Sequence, residues 1–158
     1  MPYKIQQVTG NSPLAVGERY WGEAEIINFG AMTSCIAIIG QRPSVNRVTG
    51  VHLSIFSNDG TPVFDPASNV LGQVTNIMRN AVNLRACLGR IDFWQGNQSQ
   101  QVQSFFIQLM TELDILTWVQ LADGTLNARF NNQQNTIQYQ HNNGAWITPD
   151  FSQTIKNQ

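Results

Sequence analysis

The sequence is short of charge. Only 12% of its 158 residues are Asp, Glu, Lys or Arg, and the formal net charge is −1. Without a basic excess or a cluster of Lys and Arg, the chain lacks the cationic face that binds phosphate backbones. Nucleic acid is therefore not an expected partner. Sixteen Asn and seventeen Gln supply uncharged polar surface instead.

Cysteine, histidine and long apolar runs are also scarce. Two cysteines, Cys35 and Cys87, are too few for a disulfide-built scaffold. With only His52 and His141 beside them, no zinc spacing is present, so a metal site is not expected. No apolar run approaches the roughly 18 residues of a membrane-spanning helix, and the N-terminus has no signal-peptide core. We therefore expect a protein without a membrane partner that acts in the cytoplasm, either where it is made or after export by a route without a cleavable signal.

Hydrophobic patterning predicts strands and two helices in one domain. Apolar stripes of helical spacing at 70–82 and 102–113 predict two core-facing helices. Polar residues at 41–50, with Pro43 among them, predict a loop. With no repeat or linker, residues 1–158 are expected to form a single α/β or α+β domain with helices packed on a sheet. Short alternating or apolar runs predict strands at 3–8, 23–29, 35–39, 51–56, 91–94, 117–121, 125–130 and 136–140.

One cysteine stands where a small, polar segment meets an apolar strand. The segment 30–34 reads Gly-Ala-Met-Thr-Ser, and Cys35 begins the strand. A rigid strand would hold the thiol, the preceding loop would leave it accessible, and N–H groups of that loop could face an oxyanion. Cys87, after the first predicted helix, is expected to be a buried structural thiol.

A histidine follows Cys35 at a suggestive distance. His52 lies seventeen residues later in the next predicted strand. If the two strands are neighbours, the imidazole and the thiol can meet, and an ion pair between them would lower the pKa of the thiol. From these two residues alone the alternative stays open that both are ordinary buried residues.

The stretch from Met32 to Ser54 resembles the chemotaxis-receptor glutamine deamidases of the CheD family. It resembles, more distantly, the deamidating toxins of the cytotoxic-necrotizing-factor type. In the chemotaxis family, Gly-Ser-Cys followed by Val-Ala-Val opens a strand, and a histidine follows at the same distance. The matching residues here are Thr33-Ser34-Cys35-Ile36-Ala37-Ile38, Pro43, Gly50 and His52. The resemblance implies a layered sandwich of mixed β-sheet with two main helices, and a cysteine hydrolase without a cofactor.

Two positions depart from the family pattern. Thr33 replaces the glycine before Ser-Cys, and Phe29 replaces the threonine six residues before the cysteine. The third catalytic group must therefore come from another position. Asn28 is the nearest polar side chain, and in the related toxins a main-chain carbonyl can orient the histidine.

The resemblance implies a protein glutamine deamidase. Cys35 would attack a side-chain carboxamide, His52 would serve as its base and acid, and Asn28 would assist. The partner would be a protein that carries the target glutamine, docked beside the site at the loop 41–50. Divergence from the chemotaxis family and the uncharged surface favour an effector or toxin. Two alternatives stay open: another Cys–His enzyme, such as a peptidase or a transglutaminase-like acyltransferase, and a non-enzymatic binding module in which Cys35 is only packed.

Overall fold

The computed structural model describes residues 2–42 and 45–151, and this part of the chain forms two β-sheets and three α-helices. The strands are β1 (Gln6–Gln7), β2 (Leu14–Ala15), β3 (Tyr20–Ala24), β4 (Ile26–Met32), β5 (Ile36–Arg42), β6 (Arg47–Leu53), β7 (Asn83–Gly89), β8 (Trp118–Gln120), β9 (Gly124–Asn131), β10 (Thr136–His141) and β11 (Trp146–Ile147). The helices are α1 (Val70–Ile77), α2 (Ile91–Gln95) and α3 (Gln100–Glu112), and a 3-10 turn, Met78–Asn80, follows α1.

The first sheet holds the strands that flank the candidate residues. Its order is β1-β3-β6-β5-β7-β8, with a parallel pair at each end and antiparallel pairs between them. β5 and β6 form a hairpin in which Ile36 lies opposite Leu53 and Arg42 lies opposite Arg47. β5 is buried except at its last residue, because it lies in the middle of the sheet with a layer on each face. This position explains its unbroken apolar run.

The second sheet packs face to face on the first. Its order is β11-β10-β9-β4-β2, and only the β2–β4 pair is parallel. Gly50 allows the two sheets to approach, since a Cβ there would lie 2.6 Å from the ring of Phe29. The side chains between the sheets include Ile27, Phe29, Leu126 and Phe130 from the second sheet and Ala37, Ile39 and Leu88 from the first.

The helices cover the opposite face of the first sheet. α1 begins after Asn69, whose side chain accepts a hydrogen bond from the Gly72 N–H, and α3 begins after Ser99, which accepts one from the Val102 N–H. Both predicted apolar stripes face this core except at Val82, which is exposed, and α1 ends at Ile77, earlier than predicted. The fold thus has three layers: the helices, the first sheet and the second sheet. The mixed α/β or α+β class is confirmed.

The predicted strand at 91–94 is wrong, because these residues form α2. Ile91 and Trp94 are buried, while Asp92 and Phe93 between them are exposed, which is the three-residue spacing of a helix. A run of only four residues with two buried apolar positions is compatible with a strand or a helix on sequence alone. The strand in this region is β7, which precedes α2 and contains Cys87.

Other predicted boundaries also moved. The predicted strand 23–29 divides at a bend at Glu25, because β3 belongs to the first sheet and β4 to the second. Of the predicted strand 3–8, only Gln6–Gln7 pairs with a neighbour. β6 ends at Leu53 instead of continuing to residue 56.

The predicted loop at 41–50 is mostly strand. Gln41 and Arg42 belong to β5 and residues 47–50 to β6, while Pro43 lies outside the described residues. Gln41 is buried, and its side-chain amide forms hydrogen bonds with the side chains of Asn83 and Asn135. These tertiary contacts allow a polar residue, typical of a loop, to lie inside a buried strand. The hairpin turn lies at the far end of β5, about 23 Å along the strand from Cys35 at about 3.3 Å per residue. A target docked at this turn would therefore not lie beside Cys35.

No helix in residues 2–42 and 45–151 combines the length and the apolar character needed to cross a membrane.

Candidate active site

The backbone around Cys35 is fixed from the side of α2. The indole N–H of Trp94 donates to the Ser34 carbonyl at 2.9 Å, and the N–H of Arg90 donates to the Cys35 carbonyl at 3.0 Å. The side chain of Cys35 belongs to the core between the sheets, and the residue is only 3% exposed. The prediction of an accessible thiol is therefore wrong for this structure.

His52 lies on the same face of the first sheet as Cys35. Ala37 is opposite His52, and Cys35 precedes Ala37 by two residues, so the Cys35 side chain shares the face of Ala37. Diagonal neighbours in an antiparallel pair are about 7–8 Å apart, within reach of an aromatic ring. The neighbouring strands assumed for the Cys–His pair are thus present, and they place the two side chains on one face of the first sheet.

A main-chain carbonyl fixes the orientation of the imidazole. The Nδ1 atom of His52 lies 2.9 Å from the carbonyl oxygen of Val16. Because a carbonyl only accepts hydrogen bonds, Nδ1 carries the proton and a neutral ring has its lone pair on Nε2. The ring of Phe29 packs against the imidazole edge to face, with centroids 5.8 Å apart. Nε2 is buried and has no hydrogen-bond partner among the described residues.

The structure does not bring Asn28 to the imidazole. Asn28 is exposed, and its Oδ1 accepts a hydrogen bond from the N–H of Gly30 in the same strand. Its carbonyl instead accepts from the N–H of Val16 at 2.9 Å, which helps to hold the residue whose own carbonyl orients His52. The orienting group is therefore Val16, and the assignment of Asn28 to the side-chain role is corrected.

A short turn with two charged residues completes the site. The charges of Glu18 and Arg19 act on both Cys35 and His52, and the two residues form an ion pair with each other at 3.3 Å. The role of Val16 could not be recognised from the sequence, because it depends on a backbone carbonyl. Glu18 and Arg19 could have been noticed, since two adjacent charged residues are rare in a chain with so little charge.

Burial keeps both members of the pair neutral. Desolvation, followed by the nearby Glu18 carboxylate, raises the pKa of Cys35 to about 12, against the opposing effect of Arg19. Desolvation lowers the pKa of His52, against the opposing effects of the Val16 carbonyl and Glu18. Both shifts disfavour a thiolate–imidazolium pair. The expected ion pair with a depressed thiol pKa is therefore wrong for this structure, which holds a neutral thiol and a neutral imidazole.

Cys87 lies apart from this site. It is opposite Ile38 on β7, fully buried, and belongs to the core between the first sheet and the helices. Burial also raises the pKa of its thiol. The prediction that Cys87 is a buried thiol is confirmed.

These shifts predict a dependence of stability on pH. His52 binds a proton more readily in the unfolded chain, where its pKa is about 6.5, so stability is lost as the pH falls below that value. We expect the free energy of unfolding to fall between about pH 7 and pH 5.5 by up to about 1.4 kcal/mol per pH unit. Urea unfolding of the wild type and of His52→Gln would measure this slope. Equal slopes in the two proteins would contradict the prediction.

The alkaline side has the opposite sign. A thiol with a raised pKa stabilises the fold below its unfolded pKa of about 8.5, and this stability is lost as the pH rises above it. Cys87→Ala should therefore flatten the loss of stability above pH 8.5.

In the part of the chain that the structure describes, no three His, Cys, Asp or Glu residues are grouped so that they could hold a metal ion. Comparison of the chain with protein-family models and with curated proteins finds no match.

Proposed function

We propose that this protein is a cysteine amidohydrolase that deamidates a glutamine side chain of a partner protein. The observation that carries the proposal is the state of His52. Its Nδ1–H is committed to Val16, so the buried, unpartnered Nε2 is available as a base on the sheet face that it shares with Cys35. A histidine that only filled the core would be expected to have both ring nitrogens satisfied.

The neutral pair supports a general-base mechanism. Nε2 of His52 takes the proton of the Cys35 thiol as sulfur attacks the carboxamide carbon, and N–H groups at 33–35 are the proposed donors to the oxyanion. The imidazolium then gives that proton to the departing nitrogen, so ammonia leaves and a thioester remains. Water, deprotonated by His52, attacks the thioester and releases the carboxylic acid and the thiol. No cofactor takes part in these steps.

The resemblance to the CheD and cytotoxic-necrotizing-factor deamidases makes the carboxamide the favoured substrate. Two packed sheets with helices on one outer face are compatible with the layered sandwich of those enzymes, and that finer architecture is part of the proposal. An effector or toxin that acts on a host protein is the proposed biological setting.

Incubation with proteins of a susceptible cell tests the reaction. One glutamine should gain about 1 Da as its amide becomes a carboxylate, and about 3 Da in water enriched with oxygen-18, because the new oxygen comes from solvent. Ammonia should appear in equal amount, and Cys35→Ser should produce neither signal. Cleavage of a peptide bond or crosslinking to lysine would retain the Cys–His pair but overturn deamidation. A wild-type protein without any of these products would overturn the enzyme assignment.

A further inference from the structure

A cavity of about 500 Å³ lies between the start of the chain, β3 and the end of α1. Its apolar wall is formed by Ile5, Trp21 and Ile77, and the last two are only partly buried. Tyr20, the neighbour of Trp21, lies opposite His52. Because side chains alternate along a strand, Trp21 lies on the helix face of the first sheet and His52 on the other face. The cavity is therefore separate from the Cys–His pair.

Gln73 of α1 holds the wall of the cavity that the start of the chain provides. Its Oε1 accepts a hydrogen bond from the N–H of Ile5 at 2.8 Å, and its Nε2 donates to the carbonyls of Tyr3 and Ser68, each at 2.9 Å. On the other side, β1 is fixed by its pairing with β3. The walls of the cavity are thus in place without a ligand, which lowers the cost of ordering them on binding.

Several hydrogen-bond donors around the cavity have no partner in residues 2–42 and 45–151. Nη2 of Arg79 donates to Oδ1 of Asn76 at 2.8 Å, which leaves the Nδ2 group of Asn76 and the remaining N–H groups of Arg79 unpaired. The indole N–H of Trp21 and the side-chain amide of Asn80 are also unpaired. The indole N–H of Trp94, by contrast, donates to a carbonyl. The cavity therefore combines an apolar wall with uncommitted donors.

The charge of the cavity comes from Arg79, since the described residues that line it include no Asp or Glu. The carbonyls at the end of a helix oppose a nearby anion. Here, however, the N–H of Met78 donates to the carbonyls of Val74 and Asn76, and Arg79 lies in the 3-10 turn that follows α1. The local electrostatics therefore favour a ligand with one negative charge.

We propose that this cavity is a binding site for a small organic carboxylate that carries an aromatic ring. A carboxylate only accepts hydrogen bonds, so it matches the donors of Arg79 and Asn76. The ring packs against Ile77 and the indole of Trp21, since aromatic rings pair in offset or edge-to-face arrangements. The volume of the cavity lies within the roughly 300–1,000 Å³ that is typical of small-molecule sites.

Phenylacetate and phenylacetamide test the proposal, because they share a ring and differ in charge. Binding to the full chain at pH 7.5 would be followed through the indole N–H resonances of the four tryptophans in nitrogen-15 NMR spectra. Assignment by triple-resonance spectra avoids a substitution at Trp21. Phenylacetate should shift the Trp21 resonance most, and in a saturable way. Its dissociation constant should be about tenfold lower than that of phenylacetamide, the scale of one charge-assisted hydrogen bond.

Arg79→Gln should weaken the binding of phenylacetate by about tenfold, to the level of phenylacetamide, because the charge that distinguishes the two ligands is lost. The affinity for phenylacetamide should change by less than about twofold. The matched control is Arg47→Gln, which removes the same charge from an exposed residue at the start of β6. The control should retain the wild-type affinities.

Three results would overturn the assignment. The Trp21 resonance could show no saturable shift, the two ligands could bind equally well, or Arg79→Gln could lose no more affinity than Arg47→Gln. The first result would show that the cavity does not hold this class of ligand, the second that charge is not recognised, and the third that Arg79 is not the group that recognises it. Cys35→Ser should bind phenylacetate as the wild type does, so the result does not depend on whether the protein is a deamidase.

Discussion

Replacing Cys35 by serine is expected to lower the deamidation rate by about 10⁴-fold or more while leaving the fold intact. Oxygen is a far weaker nucleophile here than sulfur, and the change alters one atom. Because the substitution is conservative in size, the free energy of unfolding should change by no more than about 1–2 kcal/mol. Ammonia release and urea unfolding would measure the two effects.

Cys87→Ser is the matched control, because it makes the same change at the second cysteine. Cys87 packs among apolar side chains between the first sheet and the helices. A hydroxyl there should cost about 1–3 kcal/mol of unfolding free energy, while activity per folded molecule is retained. If Cys35→Ser lost stability and Cys87→Ser lost activity, the two assignments would be reversed. A Cys35→Ser protein with full activity would show that Cys35 is structural.

Gly89→Ala is expected to destabilise the fold strongly, although it adds only one methyl group near the site. Gly89 has φ +127°, and a Cβ there would lie 2.7 Å from the carbonyl oxygen of Cys35 and 3.3 Å from the Cα of Ile36. Both atoms are backbone, so neither can move without moving the peptide that carries Cys35. The combination of backbone strain and overpacking should lower the free energy of unfolding by about 2–5 kcal/mol. Activity per folded molecule should also fall, because the Cys35 peptide is displaced from His52.

Gly60→Ala separates the effect of backbone strain from the effect of overpacking. Gly60 has φ +87°, but a Cβ there would meet nothing within 4 Å, so only the backbone strain remains. Its cost should be about 1–2 kcal/mol, with no effect on deamidation. Equal losses of stability in the two variants would show that the contact with Cys35 is not tight. A Gly89→Ala protein of full specific activity would show that the nucleophile tolerates the displacement.

Local pattern was sufficient for α1, for α3 and for the two strands that flank the candidate site. The apolar residues from Val102 to Leu113 predict α3, because they repeat at helical spacing over about three turns and so define one apolar face. The apolar run that begins at Cys35 and the one that contains His52 mark neighbouring strands, and their pairing fixes which residues share a face. The run at 91–94 failed because four residues contain too little periodicity to distinguish a strand from a short helix.

Residue types therefore indicated the two strands next to and around Cys35 and His52, while the tertiary structure determined that these strands pair and set the chemical state of both side chains. Burial between the two sheets raises the pKa of the thiol and lowers that of the imidazole. This burial cannot be predicted from a short stretch of sequence. The group that orients His52 is the carbonyl of Val16, and every residue type has a carbonyl, so only the path of the chain could select it. The turn that carries Glu18 is held by Arg19, whose guanidinium bonds to Ser54, Phe56 and Asn58, 35 to 39 positions further along the chain. Such contacts depend on how the layers pack, and packing is decided by the whole chain at once.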